Sequence, residues 1–178
     1  AGASQAIAEY NGIEKAGHIR EKLTKLASYH ATVEGLILAA ADQHSIVAPG
    51  IAIPNTLMTN VAKYQFASNY HQAVQMVQDV SGGLLVTGPS VEDWRSEATG
   101  PYVQKYLGGK KGTSTEHRLR MMNLISDLTA SDYGGYQEVL AVHAEGSLEA
   151  EKIQTYREYD FAAAAAYARE LAGIKEGQ

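Results

Sequence analysis

One apolar stripe constrains the fold of this chain more than any other feature of its sequence. Within residues 16–44, AGHIREKLTKLASYHATVEGLILAAADQH, apolar side chains recur at steps of three, four or seven. They are Ile19, Leu23, Leu26, Val33, Ile37 and Ala40. This spacing places them on one face of an α-helix, as in the helices of a bundle. We therefore predict a long helix from Glu14 to Gln43.

Proline and glycine divide the following sequence into further segments. Residues 45–55, SIVAPGIAIPN, are predicted to be a connection, and Asn55 or Thr56 then caps a second helix. Its helical period continues past a break predicted at Asn69 and ends at two adjacent glycines, Gly82–Gly83. The next residues, LLVTG, are the only β-like run, and five residues do not make a sheet.

The C-terminal half also has a helical period. A short helix is predicted around residues 101–107, and Thr113 or Ser114 caps the helix that follows. The buried face of that helix is predicted to consist of Leu119, Met122, Ile125 and Leu128. Two more helices, over residues 148–159 and 161–172, complete an all-α antiparallel bundle of five or six helices. We expect residues 1–178 to form one helical domain.

Composition excludes several classes of partner. The chain has a formal net charge of −5 over 178 residues and contains no cysteine. Nucleic-acid binding normally leaves a basic footprint, so no nucleic-acid partner is expected. No apolar run approaches the roughly 20 residues of a membrane span, so we expect no membrane partner and a cytoplasmic location. Without cysteine the chain offers no thiolate to a metal, and no metal site is predicted.

The double glycine raises the main question about function. One glycine after a helix is enough to close it, so a second suggests backbone that must stay bare. The amide groups of such a turn can reach a pyrophosphate or an adenine. Two interpretations stay open, namely a helix stop with a flexible hinge and a contact to a nucleotide. A second candidate site lies in AVHAEGS, where a His, a Glu and a Ser occupy one turn.

Several segments in order resemble one known family. The resemblance is carried by AEYNGIEKAGHIREKLTKL, the connection ending in IAIPN, VQDVSGGLLVTGPSVEDW, GPYVQKYL, DLTASDYGGYQEVLAVHAEGS and YREYD. They are similar to the C-terminal helical domain of the 4-hydroxyphenylacetate 3-hydroxylase family, which includes reduced-flavin-dependent aromatic hydroxylases and 4-hydroxybutyryl-CoA dehydratase with its vinylacetyl-CoA isomerase activity. The resemblance implies the acyl-CoA dehydrogenase fold. In that fold the C-terminal bundle packs on an N-terminal helical domain and a β-domain, which would be the missing partners of this chain.

The resemblance also implies which residues contact a cofactor. Gln78, Gly82 and Gly83 match a pattern in which a helix end approaches FAD that is bound mainly by a neighbouring subunit. Lys15 and His18 lie where the superfamily places groups against that FAD. Lys15 would offset pyrophosphate charge, and His18 would donate a hydrogen bond.

The HAEGS loop matches a family segment that borders the substrate and the flavin ring. On this resemblance His143 and Ser147 are the predicted substrate-binding residues. No catalytic residue is predicted within the chain, because the groups expected to polarise a phenol belong to the absent domains. The chain alone is therefore not expected to be catalytically competent.

The resemblance implies an FAD-dependent monooxygenase of aromatic compound catabolism. Its substrate would resemble 4-hydroxyphenylacetate, and its reduced FAD would come from a separate flavin reductase. The family is usually tetrameric with these domains at the centre, so we expect a homo-oligomer.

Two alternatives stay open. The dehydratase branch needs an iron–sulfur cluster with one cysteine on the long helix, where this sequence has Thr32 or a neighbour, so no cluster is expected. DLTASDYGGY and HAEGSLEAEKI nevertheless are at least as close to the dehydratases, which keeps a cluster-free flavoenzyme acting on an acyl-CoA open. The second alternative is a non-catalytic oligomerisation module.

Overall fold

Helices make up nearly all the regular structure of the chain. A computed structural model describes residues 1–174, and in this part no helix is both long and apolar enough to cross a bilayer. The helices are α1 (Gly2–Asn11), α2 (Gly17–Asp42), α3 (Thr56–Ser81), α4 (Leu84–Thr87), α5 (Val91–Arg95), α6 (Gly100–Tyr106), α7 (Thr115–Thr129), α8 (Asp132–His143), α9 (Leu148–Glu158) and α10 (Phe161–Leu171). The all-α prediction is confirmed, but the described residues form ten helices rather than the predicted five or six. The three helices predicted at 101–107, 148–159 and 161–172 match α6, α9 and α10 to within one residue at each end.

Two long helices, α2 and α3, form the axis of the bundle, and each is 26 residues long. Helix α3 is central because it packs against α1, α2, α7, α8 and α9. The long helix predicted from Glu14 to Gln43 is confirmed, although it begins later, at Gly17. The residues before it form a turn instead, which follows the close of α1 at Gly12 with a φ of 73°.

Helix α3 begins and continues differently from what its polar residues suggested. Of the two candidate caps, Asn55 is the one used, because its Oδ1 accepts a hydrogen bond from the Met58 N–H at 3.0 Å. The break predicted at Asn69 is wrong, since the helix is continuous across it. The Asn69 Nδ2 donates to the carbonyl oxygen of Gln65 at 2.9 Å. The side chain thus bonds to the preceding turn without displacing the helical backbone bonds.

The core lies where α1, α2, α3, α4 and α7 meet. It consists of Ile7, Ala8, Ile19, Val80, Leu85, Met122 and Ile125. Ser114 caps α7, and the predicted burial of Leu119, Met122 and Ile125 is confirmed. Leu128 is 42% exposed, contrary to the prediction, because it borders an open groove rather than the packed core. Ile37 on α2 is 56% exposed for the same reason.

The predicted connection at 45–55 is instead a small β-hairpin. Strands β1 (Ser45–Val47) and β2 (Ile51–Ile53) pair antiparallel, with Ile46 opposite Ala52. The Gly50 N–H donates to the Val47 carbonyl oxygen at 2.7 Å, which closes the turn. Proline and glycine here form a hairpin turn between β-branched residues, rather than an irregular link.

The run LLVTG was predicted to be β-like from its composition. This prediction is wrong, because the run forms helix α4. The Leu85 N–H donates to the Gly82 carbonyl oxygen at 3.1 Å, and the Gly88 N–H donates to the Leu84 carbonyl oxygen at 3.0 Å. The helical turn directs Leu85 into the core, where it is 8% exposed. Burial of this one side chain outweighs the β-propensity of its neighbours.

The buried face of α7 can be tested by paired substitutions on that helix. Ile125→Ala should lower the free energy of unfolding by about 2–5 kcal/mol, because Ile125 is 0% exposed and its truncation leaves a cavity. Leu124→Ala is the matched control, since Leu124 is 47% exposed and its loss should cost less than about 1 kcal/mol. Urea unfolding measures both. Equal losses would show that this face of α7 is not the buried one.

Candidate functional site

The double glycine lies in an open groove between α2 and the end of α3. The groove has a volume of about 820 Å³, and Gly82, Gly83, Gln78 and His18 are among its lining residues. The fold therefore brings together four of the five residues predicted to contact a cofactor. Lys15 does not line the groove, and it is exposed in the turn between α1 and α2.

The backbone conformation of Gly82 explains why this residue is a glycine. Its φ is 79°, and its N–H donates to the Gln78 carbonyl oxygen at 2.9 Å, which ends α3. A side chain at this φ is strained whatever the surrounding space. The helix stop predicted as one interpretation of the sequence is therefore present at Gly82.

The backbone conformation of Gly83 does not explain why this residue is a glycine. Its φ of −62° and ψ of −22° are ordinary helical values that any residue adopts. A Cβ built on Gly83 would meet no heavy atom within 4 Å among the described residues. Neither the backbone nor the packing of this chain requires glycine at 83. A bare backbone here instead leaves room for a group that approaches from outside the chain.

Gln78 has a structural bond that also determines which of its atoms can serve a ligand. Its Nε2 donates to the carbonyl oxygen of Thr129 at 2.6 Å. Thr129 is the last residue of α7, where helix carbonyls lack partners within their own helix. Because a carbonyl can only accept, this bond fixes the orientation of the amide with its nitrogen toward α7, and one N–H of that nitrogen is left to donate. The Oε1 atom is the one left to accept a hydrogen bond from a ligand.

The start of α2 gives this groove a local positive potential, whereas the lysines of the groove are balanced by carboxylates. His18 is exposed in the first turn of α2, which has no acidic residue there and no side-chain cap at Ala16. The unpaired N–H groups of such a helix start favour anions. Deeper along the groove, Lys22 pairs with Asp79 across the two helices, and Lys25 pairs with Glu21 at 2.7 Å. The positive helix start therefore lies at the glycine end of the groove.

The HAEGS loop joins α8 to α9. His143 is the last residue of α8 and is exposed. The Ser147 Oγ accepts a hydrogen bond from the Ala150 N–H at 3.1 Å, so Ser147 caps α9. This cap accounts for a serine at 147 without a ligand. A substrate-binding role for His143 and Ser147 stays a prediction.

Two acidic residues lie at this loop, namely Glu145, the glutamate of the AVHAEGS motif, and Glu151, which the sequence prediction did not single out. Glu151 is the only buried residue of α9 and is 2% exposed, and its Oε1 lies 3.7 Å from the Lys63 Nζ of α3. Glu145 precedes α9 in the loop. The sequence contained a sign that Glu151 is buried. The inner face of α9 consists of Leu148, Glu151 and Thr155, so a glutamate occupies a position where an apolar residue is expected.

Glu145 has an altered proton affinity. Burial raises the pKa of Glu145 above the ordinary value of 4.5, the nearby Glu151 carboxylate raises it further, and Lys63 lowers it. The residue lines a mainly apolar groove of about 510 Å³, with Val33 and Phe66 among its walls. A carboxyl group in such surroundings retains its proton to higher pH and can donate it.

Comparison with known proteins identifies the family. The family described as 4-hydroxyphenylacetate 3-hydroxylase C terminal matches residues 1–173. The chain belongs to this family. Its members are long relative to this chain, which covers little more than a third of the relatives described next.

Three relatives illustrate the range of the family. The 4-hydroxybutyryl-CoA dehydratase/vinylacetyl-CoA-Δ-isomerase of Clostridium aminobutyricum is 29% identical over 98% of this chain and 37% of its own length. The oxygen-tolerant archaeal 4-hydroxybutyryl-CoA dehydratase from N. maritimus superposes with a TM-score of 0.88 and 31% identity, over 98% of this chain and 35% of that one. The HpaB oxygenase component of 4-hydroxyphenylacetate 3-monooxygenase, complexed with FAD, has a TM-score of 0.87 and 22% identity, over 96% of this chain and 35% of that one. The last likeness concerns the fold alone.

The bond between Gln78 and Thr129 can be tested without any ligand. Gln78→Met should lower the free energy of unfolding by about 1–3 kcal/mol, because it leaves the Thr129 carbonyl without its donor. Gln75→Met is the matched control, since Gln75 lines the same groove but is exposed, and it should change stability by less than about 0.5 kcal/mol. Thermal and urea unfolding measure both. A neutral Gln78→Met would contradict the structural role of the side chain.

Proposed function

We propose that this chain is the flavin-contacting and oligomerisation domain of a larger reduced-FAD-dependent aromatic hydroxylase. The observation that carries the proposal is Gly83, a glycine that the chain itself does not require, at the edge of a groove with a positive helix start. The substrate of the complete enzyme would be a phenol resembling 4-hydroxyphenylacetate. The remaining domains and a flavin reductase would be its partners.

The residues of the groove fit the parts of FAD. Gly82 and Gly83 would let the cofactor come close to the backbone, and His18 at the start of α2 would face its phosphates. Gln78 would accept a hydrogen bond from a ring N–H through its Oε1, because its Nε2 is bonded to Thr129. Lys15 would add positive charge from the neighbouring turn. When bound, reduced FAD supplies the activation of oxygen, while these residues bind and orient it.

A relative supports the cofactor assignment. The HpaB oxygenase component shares this fold and is complexed with FAD. The shared fold supports FAD binding by analogy, and Gly83 supports it independently.

A second candidate function is supported by sequence identity. The two dehydratases are 29% and 31% identical over 98% of this chain, whereas the FAD-bound hydroxylase is 22% identical. The complete protein could then be a flavoenzyme that acts on a hydroxyacyl-CoA. Assays of the full-length protein with reduced FAD, oxygen and 4-hydroxyphenylacetate, and separately with 4-hydroxybutyryl-CoA, distinguish the two. Turnover of the thioester alone would replace the hydroxylase proposal with this one.

Gly83→Val tests the flavin contact. In the full-length protein we expect FAD affinity to fall at least tenfold, equivalent to about 1.4 kcal/mol, with little change in the thermal midpoint. The side chain would fill space the cofactor needs, yet its Cβ meets no heavy atom of the described residues within 4 Å. Isothermal titration with FAD and thermal unfolding measure the two effects.

Two controls accompany this test. Gly35→Val places the same side chain on an exposed position of α2 that is also without neighbours within 4 Å, and it should leave FAD affinity unchanged. Gly82→Ala should lower stability by about 1–2 kcal/mol because of its positive φ. If Gly83→Val and Gly35→Val bind FAD equally well, the double glycine is only a helix stop.

The oligomerisation part of the proposal rests on exposed apolar faces. Tyr133, Tyr136 and Val139 of α8 are 56%, 62% and 62% exposed, and Phe161 and Leu171 of α10 are 51% and 71% exposed. Surfaces of this kind mark sites of association. Light scattering at micromolar concentration should therefore give a multiple of the 19.1 kDa chain mass, and we propose a tetramer. A mass of one chain would contradict it.

A further inference from the structure

Three elements meet around a buried ion pair at the end of the apolar groove. Lys63 comes from α3, Glu151 from the first turn of α9, and Glu145 and Gly146 from the turn between α8 and α9. The Lys63 side chain is 31% exposed, whereas that of Glu151 is 2% exposed. The carboxylate is therefore the interior member of the pair.

Glu151 lacks the hydrogen bonds that a buried carboxylate normally has. Neither Oε1 nor Oε2 has a hydrogen-bond partner among residues 1–174, and Lys63 at 3.7 Å is an ionic contact only. Buried polar atoms without partners are rare in stable proteins and often mark functional sites. Among the described residues, the ionic contact with Lys63 is thus the one interaction that offsets the burial of this carboxylate.

The turn between α8 and α9 packs directly on this pair. Gly146 has a φ of 120°, and a Cβ at this residue would lie 3.5 Å from the Lys63 Nζ and 3.7 Å from the Glu151 Oε1. Gly146 therefore lies beside both members of the pair, with room for no more than a Cβ between them. This packing holds the preceding residue, Glu145, beside them.

Glu145 connects the pair to the groove. Its Oε1 is buried and has no hydrogen-bond partner in the described chain, and the residue lines the apolar groove of about 510 Å³. The charged and titratable groups that face it are Glu151 on α9, Lys63 on α3 and Tyr29 on α2. Burial raises the pKa of Tyr29 to about 12, with smaller contributions from Tyr70 and Glu145, so Tyr29 stays neutral. Glu151 is then the one negative neighbour of Glu145 in this set.

We propose that Glu145 is the hydrogen-bond donor of a binding site for small apolar molecules with a carbonyl oxygen. Burial in the groove is the main reason why Glu145 keeps its proton, and Glu151 acts as a positioning residue because its like charge adds to that effect, whereas Lys63 opposes it. The groove walls, which include Val33, Ala62 and Phe66, would bury the apolar part of the ligand. The proposal goes beyond the flavin contact and does not require FAD.

Titration of the 178-residue chain tests the positioning role. With the glutamate side chains labelled with ¹³C, the carboxyl signal of Glu145 should titrate with a midpoint above 4.5, the ordinary value. Glu151→Gln should lower that midpoint, because it removes the like charge. Glu151→Asp keeps the charge and should keep the midpoint raised. Glu149→Gln is the control, since Glu149 is exposed on the same helix and pairs with Lys152.

The pH dependence of folding stability provides a second test of the raised pKa of Glu145. Because the pKa of Glu145 is higher in the folded chain than in the unfolded one, its stabilising contribution is complete below 4.5. It is lost as the pH rises through the folded-state value. Glu145→Gln should abolish this part of the pH dependence and Glu149→Gln should not. If Glu151→Gln and Glu149→Gln affect the midpoint of Glu145 equally, the positioning role is wrong.

A pair of probes tests the ligand class. Acetophenone and ethylbenzene have similar size, but only acetophenone carries a carbonyl oxygen. Below the Glu145 midpoint, amide shifts of the groove residues should show acetophenone binding roughly three- to tenfold more tightly, the effect of one hydrogen bond. The preference should disappear in Glu145→Ala and in the parent above the midpoint. Equal binding of the two probes by the parent at low pH would overturn the proposal.

Discussion

The pairing of α2 with α3 is the interaction on which the rest of this domain depends. At 26 residues each, these helices are about 39 Å long, and the other helices are too short to cover both of them completely. The Tyr29 hydroxyl donates to the Phe66 carbonyl oxygen at 2.7 Å, and Lys22 pairs with Asp79, so the two helices are tied at separate points. Helices α1, α7, α8 and α9 cover α3 on other sides. The surface that stays uncovered along the pair becomes the two grooves.

The chemistry of this surface changes along α2. Its first turns present His18, Lys22 and Lys25 to the groove that contains the glycines, where both lysines pair with carboxylates and the helix start favours an anion. Its last turns present Val33 and Ile37 to the apolar groove that ends at Glu145. One helix thus lines two grooves of different polarity. The order of residues along α2 is what separates the polar groove from the apolar one.

Features that depend on residues close in sequence were predictable, and those that depend on tertiary contacts were not. The period of apolar residues located α2, and the polar residues Asn55 and Ser114 located helix starts, because stripes and caps are local. The helical state of LLVTG depends on where Leu85 packs, which no local pattern contains. The exposure of Ile37 and Leu128 depends likewise on which helices fail to cover them. For the candidate sites, Gln78 and Gly82–Gly83 could be predicted from the sequence, because they lie close together in it. The pairing of Lys63 with Glu151 could not be predicted, because it joins helices that are far apart in the chain.

A resemblance to a family indicates a position, but only the structure tells which atoms at that position are already used by the fold. At Gly82 the positive φ explains the glycine, and at Ser147 the cap of α9 explains the hydroxyl. At Gln78 the fold uses the amide nitrogen and leaves the oxygen. Gly83 and the carboxylate of Glu151 are different, because no backbone requirement explains the first and no hydrogen bond in the described chain satisfies the second. These unexplained groups, rather than every residue that matches a motif, are where a contact from outside the described chain has a physical reason to be.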